Sequence, residues 1–421
     1  MFRRTIAISA SLFVFALGSP LIAARANPLL RQHFNQGVER FDAGDYQGAI
    51  SDWSKAIEIN PNEALYYYSR GVAKEKLADY QGAIADYTKA LKMNPQSAVA
   101  YSNRGNAKSD LEDYQGAIAD YNKSLEINPD NDRVYYNRGN AKYELTDYQG
   151  AIADYNKALK MNPQYAVAYS NRGNAYRRLK DYQGAIADYN KAIKINPGSA
   201  VAYSNRGNAK SDLEDYQGAI ADYNKSLEIN PDNDRVYYNR GNAKYELTDY
   251  QGAIADYNKA LKMNPQYAVA YSNRGNAYRR LKDYQGAITD YNKAIEINPG
   301  FAAAYNNRGN AKDDLKDIQG AINDYTKAIE INPQYADAYY NRGNKKGDLK
   351  DYQGAIADYN TAIEINPQHI AAYGSRGYAK GVGLQDGNGA CSDYRKAISL
   401  GNKAIANWLN SDEGAWCRNM Q

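Results

Sequence analysis

The chain has 421 residues, 43% of them hydrophobic and 24% charged, with a net charge of +4. That balance allows a packed core and excludes wholesale disorder. Arg3, Arg4 and Arg25 fall in the first 26 residues, which hold no acid, so the remainder carries +1. A chain this close to neutral, with lysine and aspartate finely interspersed, offers no basic stripe for nucleic acid or anionic lipid.

The first predicted element is residues 1–26. Two arginines open it, Thr5 to Leu17 is mostly apolar, and Ala24-Arg25-Ala26 has the form of a cleavage site. This layout predicts a secretory signal peptide with a short apolar core, an uncleaved anchor being the alternative, and so an exported protein, periplasmic or secreted.

Residues 27–369 repeat one unit. Asn-Pro recurs at 61, 95, 129, 163, 197, 231, 265, 299, 333 and 367, a strict 34-residue period, and the 42 tyrosines against 6 phenylalanines fit the copying of one tyrosine-rich segment. Periods of 20–50 residues mark stacked repeats rather than separate domains. Residues 98–131 stand for all. Tyr101, Gly105, Ala107 and Leu111 recur at helical spacing on a first helix. Asp113 is placed to cap a second helix whose inner side is Ala117, Ile118, Tyr121 and Leu125. Asn128-Pro129 ends it, with asparagine expected to tolerate the turn. A mid-helix glycine such as Gly105 costs ~1 kcal/mol against alanine, which predicts close approach of the second helix.

These glycine, alanine, tyrosine and proline positions resemble the tetratricopeptide repeat over residues 30–404. The resemblance implies an all-α, right-handed α-solenoid superhelix of about eleven helix–turn–helix repeats, ten regular and a degenerate eleventh at 370–404, with a C-terminal cap at 405–421. It implies a non-catalytic scaffold that holds a peptide or protein in the concave groove of its first helices. A carrier of a non-protein ligand such as a cell-wall glycan, or a passive spacer, is the alternative. Two positions depart from the family. Tyrosine replaces its tryptophan (Tyr101, Tyr135, Tyr169), and arginine replaces the leucine before the glycine (Arg104, Arg138, Arg172). Each regular second helix carries an aspartate, such as Asp120, Asp154 or Asp188, so a surface Arg–Asp brace is one role for that arginine and a ligand contact the other.

The first helices also repeat two amides one turn apart: Asn103 and Asn106, Asn137 and Asn140, Asn171 and Asn174, Asn205 and Asn208, Asn239 and Asn242, Asn273 and Asn276, Asn307 and Asn310, Asn341 and Asn344. Asparagine is a mediocre helix former, and an amide can meet a peptide backbone as donor and acceptor. The first member resembles the asparagine ladder of O-linked N-acetylglucosamine transferase repeats, which implies peptide binding. Links between adjacent repeats are the other explanation. The positions that vary point to specificity, and they gather Arg133, Tyr136 and Tyr143 with Glu144, then Arg235, Tyr238 and Tyr245 with Glu246. Residues 97–186 are identical to 199–288, so a block of 102 residues is duplicated with any site it holds.

At the C-terminal end the regular turn is lost around Gly381-Val382-Gly383 and one residue is gained. A last helix with Trp408 and Trp416 is expected to cover the open end. The two cysteines, Cys391 and Cys417, both lie here, and in an exported protein such a pair predicts a disulfide, with two buried thiols as the alternative. His33 and His369 are the only histidines and stand far apart in sequence, and each repeat glycine is isolated. No metal site, cofactor or catalytic group is predicted from that inventory.

Overall fold

The two-helix repeat is visible residue by residue in the computed structural model, which describes residues 27–418. The predicted signal peptide lies outside the described residues, as do the last three residues of the chain. The described residues form 24 α-helices and one π-helical turn, with no strand among them.

In the repeat at 98–131 the first helix spans Ala98–Asp110 and the second Tyr114–Ile127. Asp113 caps the second as expected, its side chain accepting the Gly116 N–H at 2.9 Å. The connection is tight: the Asp113 N–H reaches the Lys108 carbonyl at 2.9 Å and the Glu112 N–H reaches Ser109 at 3.0 Å. That pair of bonds is a Schellman closure, which needs one left-handed residue. The residue is Glu112, at φ +63°, and the same position holds Thr146 at +63° and Lys180 at +62°.

Two expectations change here. Asn128 is not the left-handed residue; it is extended, at φ −132°, and its side chain accepts the Asp130 N–H at 3.2 Å. Leu111 does not join the packed face but is 38% exposed, because it ends the first helix at the tight turn. Ala117, Tyr121 and Leu125 are buried, and Ile118 is partly so. What approaches Gly105 is the Tyr121 ring: a Cβ there would lie 2.8 Å from Cε1 of that ring and 3.2 Å from the Ala117 carbonyl oxygen.

The chain divides into two units, meeting at Leu213 and Glu214. In the first, eleven helices from Pro28–Asp42 to Ala200–Asp212 stack in sequence order. Each packs on its neighbours, and first helices of successive repeats also touch from Ala64–Lys76 onward, the arrangement of a solenoid. The second unit runs from Tyr216–Ile229 through repeats of the same kind to Tyr352–Ile365. Its eleventh repeat is Ile370–Tyr378, a π turn at Ala379–Gly383, and Gly387–Ser399. The π turn absorbs the extra residue: Arg376 pairs with Asp393 at a separation of 17, where regular repeats use 16.

Beyond it, Lys403–Asn410 and Ala415–Arg418 form the end. Ile405 packs with Leu400 against Ala372, Tyr373 and Ala397. Trp408 stands edge-on to Tyr394 at 5.1 Å and to Trp416 at 6.2 Å. Cys391 and Cys417 are joined by a disulfide, with Cα atoms 5.5 Å apart and a separation of 26 positions in sequence.

Candidate functional site

The Arg104 guanidinium uses all three of its nitrogens. Nε and Nη2 donate to the two Asp120 oxygens at 2.8 and 2.6 Å, and Nη1 donates to Thr88 Oγ1 at 3.1 Å in the preceding repeat. Its carbon lies 5.5 Å from the Tyr101 ring centroid. The Asp120 hydrogen bond chiefly holds this guanidinium above its ordinary range, against burial. Lys108 Nζ adds a second cation 2.8 Å from Asp120. Arg138 repeats the pattern with Asp154 and Asn122, and in the second unit Arg240 does so with Asp256 and Asn224. The arginine is therefore a brace within and between repeats. It is not a surface pair, since Asp120 is 4% exposed. Charges out of water depend on one another far more than exposed ones do.

The amide pairs are also tied together. Asn106 Oδ1 accepts the Tyr121 hydroxyl at 2.9 Å and the Asn137 amide at 2.9 Å. Asn140 accepts Tyr155 and Asn171 at 2.8 and 2.9 Å, and Asn174 accepts Tyr189 and Asn205 at 2.8 and 3.1 Å. Asn103 donates to Tyr68 and Asn171 to Tyr136, both at 3.0 Å. The second unit repeats the pattern. Asn242 accepts Tyr257 and Asn273, Asn276 accepts Tyr291 and Asn307, and Asn273 also donates to Tyr238. Asn310 and Asn344 accept Tyr325 and Tyr359, while Asn341 turns to Asn306. Asn208 lies in the first unit and Asn239 in the second. Linking adjacent repeats and bonding the tyrosine of the same repeat are thus jobs these amides perform, which offset the poor helix propensity of asparagine.

The variable positions build a cavity. In the first unit a cleft of about 410 Å³ is lined by Ser109, Asp110, Tyr114, Tyr136, Asn140, Tyr143, Glu144, Tyr155, Asn171 and Asn174. Tyr136 packs 4.8 Å from Tyr165, and Tyr143 stands edge-on to Tyr148 at 5.2 Å. Arg178 Nε donates to the Tyr143 hydroxyl at 3.3 Å. Arg133 is exposed and absent from the lining. It sits ten residues before Tyr143 on one helix, about 15 Å along the axis. In the second unit Tyr238 and Tyr267 lie 4.8 Å apart, Tyr245 and Tyr250 5.2 Å, and Arg280 reaches Tyr245 at 3.2 Å. Arg235 is exposed like Arg133. A second cleft of about 500 Å³ lies beside the π turn, where Lys345, Asp348, Tyr352, Tyr359 and Tyr378 meet Asn344. Sequence reasoning missed Asp110 and Tyr114 in the first cleft, because Tyr114 opens the second helix in a Tyr-Gln-Gly-Ala motif that recurs in most repeats and reads as scaffold. His369 is occupied as a helix cap, its Nδ1 accepting the Ala372 N–H at 3.3 Å.

Tetratricopeptide repeat patterns match residues 64–97, 98–131, 268–301, 302–335 and 336–369, and a further one matches 136–200. A related TPR repeat pattern matches 37–77, 207–248 and 241–282. Together they cover most of the chain. The protein belongs to the tetratricopeptide-repeat family. No curated protein sequence matches this tetratricopeptide-repeat chain at a significant level. Among solved structures it is similar to the MamA protein, at 28% identity over 41% of this chain and 94% of that one, with a TM-score of 0.38. It is also similar to YrrB, described as a TPR protein with an unusual peptide-binding site, at 25% identity over 44% of this chain and 95% of that one, TM-score 0.39. A tetratricopeptide repeat protein from Parabacteroides merdae is 21% identical over 60% of this chain and 99% of that one, TM-score 0.48. Proteins of the family are generally non-catalytic scaffolds, and no enzyme family matches.

Proposed function

We propose that this tetratricopeptide-repeat protein is a non-catalytic scaffold that binds an extended peptide or a protein surface along its first helices. The observation that carries this reading is the Tyr136–Tyr143 cleft. Tyrosine is a favoured binding anchor because it offers a large, stiff, amphipathic surface, and a cleft of about 410 Å³ is of the size that accepts side chains. The amides contribute at most their remaining groups, so specificity falls to the variable positions. Export is part of the same proposal. It is supported by the Cys391–Cys417 disulfide, which oxidising compartments sustain, and by the layout of residues 1–26. No helix among the described residues is long and apolar enough to cross a membrane.

The test is a crosslinking pull-down from the native compartment, comparing the wild-type chain with a variant carrying Tyr136→Ala, Tyr143→Ala, Tyr238→Ala and Tyr245→Ala. Circular dichroism confirms that both are folded. Partners recovered by the first and lost by the folded variant support the scaffold. Identical partner lists place binding elsewhere on the molecule or leave a spacer.

A further inference from the structure

The cleft beside the π turn is open because two side chains are missing from it. Gly347 stands in the slot that holds Tyr143 and Arg177 in earlier repeats, and Gly374 in the slot of Tyr136 and Tyr340. Both glycines line the cleft. Packing accounts for Gly374, where a Cβ would lie 2.9 Å from Ile405 Cδ1 of the closing helix. It accounts likewise for Gly343, one turn before Gly347, where a Cβ would lie 2.8 Å from the Tyr359 ring. Gly347 has no such reason. A Cβ there would meet the Tyr359 hydroxyl oxygen at 3.9 Å and Ala355 Cβ at 4.0 Å, both ordinary contacts, and its φ is not positive. Glycine weakens a helix, so the residue costs stability and leaves one wall of the cleft as bare backbone.

The amide ladder opens at the same place. Asn140 Oδ1 accepts two hydrogen bonds, from Tyr155 and Asn171. Asn344 Oδ1 accepts Tyr359 alone, at 2.8 Å, among the described residues. Ser375 stands where the next asparagine would be and turns to the Tyr359 hydroxyl instead. An amide oxygen has two lone pairs, so one is left at the cleft. The ionic lining is largely balanced within the protein: Lys345 Nζ lies 2.9 Å from Asp313 and 2.7 Å from Asp348. Lys350 is exposed at the turn. Tyr352 and Tyr378 complete the wall, and Tyr378 is 56% exposed.

We infer that this cleft receives an aromatic side chain of the partner that carries a hydrogen-bond donor, tryptophan or tyrosine. The inference rests on the scaffold reading above and names the chemistry of one contact. A ring is preferred to an aliphatic chain because the exposed Tyr378 ring can pair with it and the Lys350 ammonium can lie over its face. The bare backbone at Gly347 admits its flat body. The Asn344 oxygen accepts the indole N–H or the phenol O–H, and a ring without a donor would leave that oxygen dry and short of a partner.

Four heptapeptides of glycine and serine, each with one central tryptophan, tyrosine, phenylalanine or leucine, are passed over the immobilised full chain by surface plasmon resonance, with its disulfide intact, up to millimolar concentration. Tryptophan and tyrosine are expected to bind at least about fivefold more tightly than phenylalanine and leucine. Gly347→Leu fills the cleft with a better helix former, so it keeps its helical dichroism and thermal midpoint and binds the tryptophan peptide at least about fivefold more weakly. Asn344→Ala, with the same check of folding, brings tyrosine down to the level of phenylalanine. Phenylalanine or leucine peptides that match tryptophan overturn the inference, as do unchanged affinity in Gly347→Leu and failure of all four peptides to bind. If the peptides bind but lose affinity only when Tyr136, Tyr143, Tyr238 and Tyr245 become alanine, the inference falls and the scaffold reading survives. A soluble wall glycan that binds where no peptide does removes both.

Discussion

At Gly105 a hydrogen is the only substituent that leaves room for the Tyr121 ring, since a Cβ would sit 2.8 Å from it with a carbonyl oxygen close behind. Gly105→Ala is therefore expected to destabilise by about 1–3 kcal/mol despite the better helix propensity of alanine, read as a shift in urea midpoint; a stabilised variant would show that the ring can move aside. The opposite sign is expected at Thr146. A β-branched residue at φ +63° holds a conformation that costs about 1–2 kcal/mol outside glycine, so Thr146→Gly should raise the midpoint in the same experiment. Asp120→Asn leaves Arg104 and Lys108 without their shared counter-ion and is expected to cost about 3 kcal/mol, which comparison with a Glu112→Gln surface control checks. The cap at Asp113 and the Arg104–Asp120 partnership are legible in the sequence, because each needs particular side chains at one spacing. The left-handed residue is not, because Glu, Thr and Lys at that position give no sign of it. Only the hydrogen-bond pattern of the turn reveals that the strain sits there and not at Asn128.

At the scale of single helices the two-helix unit is legible, since proline, cap and apolar spacing agree in the ten regular repeats. The cleft is legible in part. Variation between copies exposes Tyr136 and Tyr143, but it also selects Arg133, which the rise of the helix carries to the other end. Asp110 and Tyr114 contribute from the neighbouring repeat, and no single-helix pattern marks residues that meet only after stacking. The end of the chain depends on a bond between elements. Cys391 lies in Gly387–Ser399 and Cys417 in Ala415–Arg418, so reduction should release the last short helices while the regular repeats keep their order. Alkylation mass spectrometry on native material is expected to label neither cysteine before reduction and both after. Hydrogen exchange should then speed up at 403–418 and stay unchanged at 234–365; two thiols labelled without reductant would remove the staple.

Across the whole chain, stability is tied to tyrosine protonation. Burial, the leading cause, pushes the hydroxyls of Tyr155, Tyr189, Tyr257, Tyr291, Tyr325 and Tyr359 well above the usual tyrosine range. A folded value above the unfolded one near ~10 means the stabilisation is complete below that pH and is lost as pH climbs towards the folded value. Each such group withdraws about 1.4 kcal/mol per pH unit in that window. Absorbance of tyrosinate should rise in two stages: exposed rings first with the helices intact, then buried rings together with loss of the helical dichroism. A single titration near pH 10 with helices retained would contradict this.

The arginine brace reaches backward. Arg104 carries the donor to Thr88 of the preceding repeat and Arg138 the donor to Asn122, while its own aspartate travels with it. Gln36 stands where the first repeat would need that arginine, and nothing lies before it among the described residues for one to reach. Every junction is thus assembled from the same two halves, whichever copies happen to adjoin. Excising residues 97–198 would set Arg206 after Thr88 in the register that Arg104 now holds, and a folded product is expected from circular dichroism. Misaligned recombination between copies of the gene can therefore add or drop repeats without creating a foreign seam, leaving the number of repeats free to follow the span of whatever the protein holds.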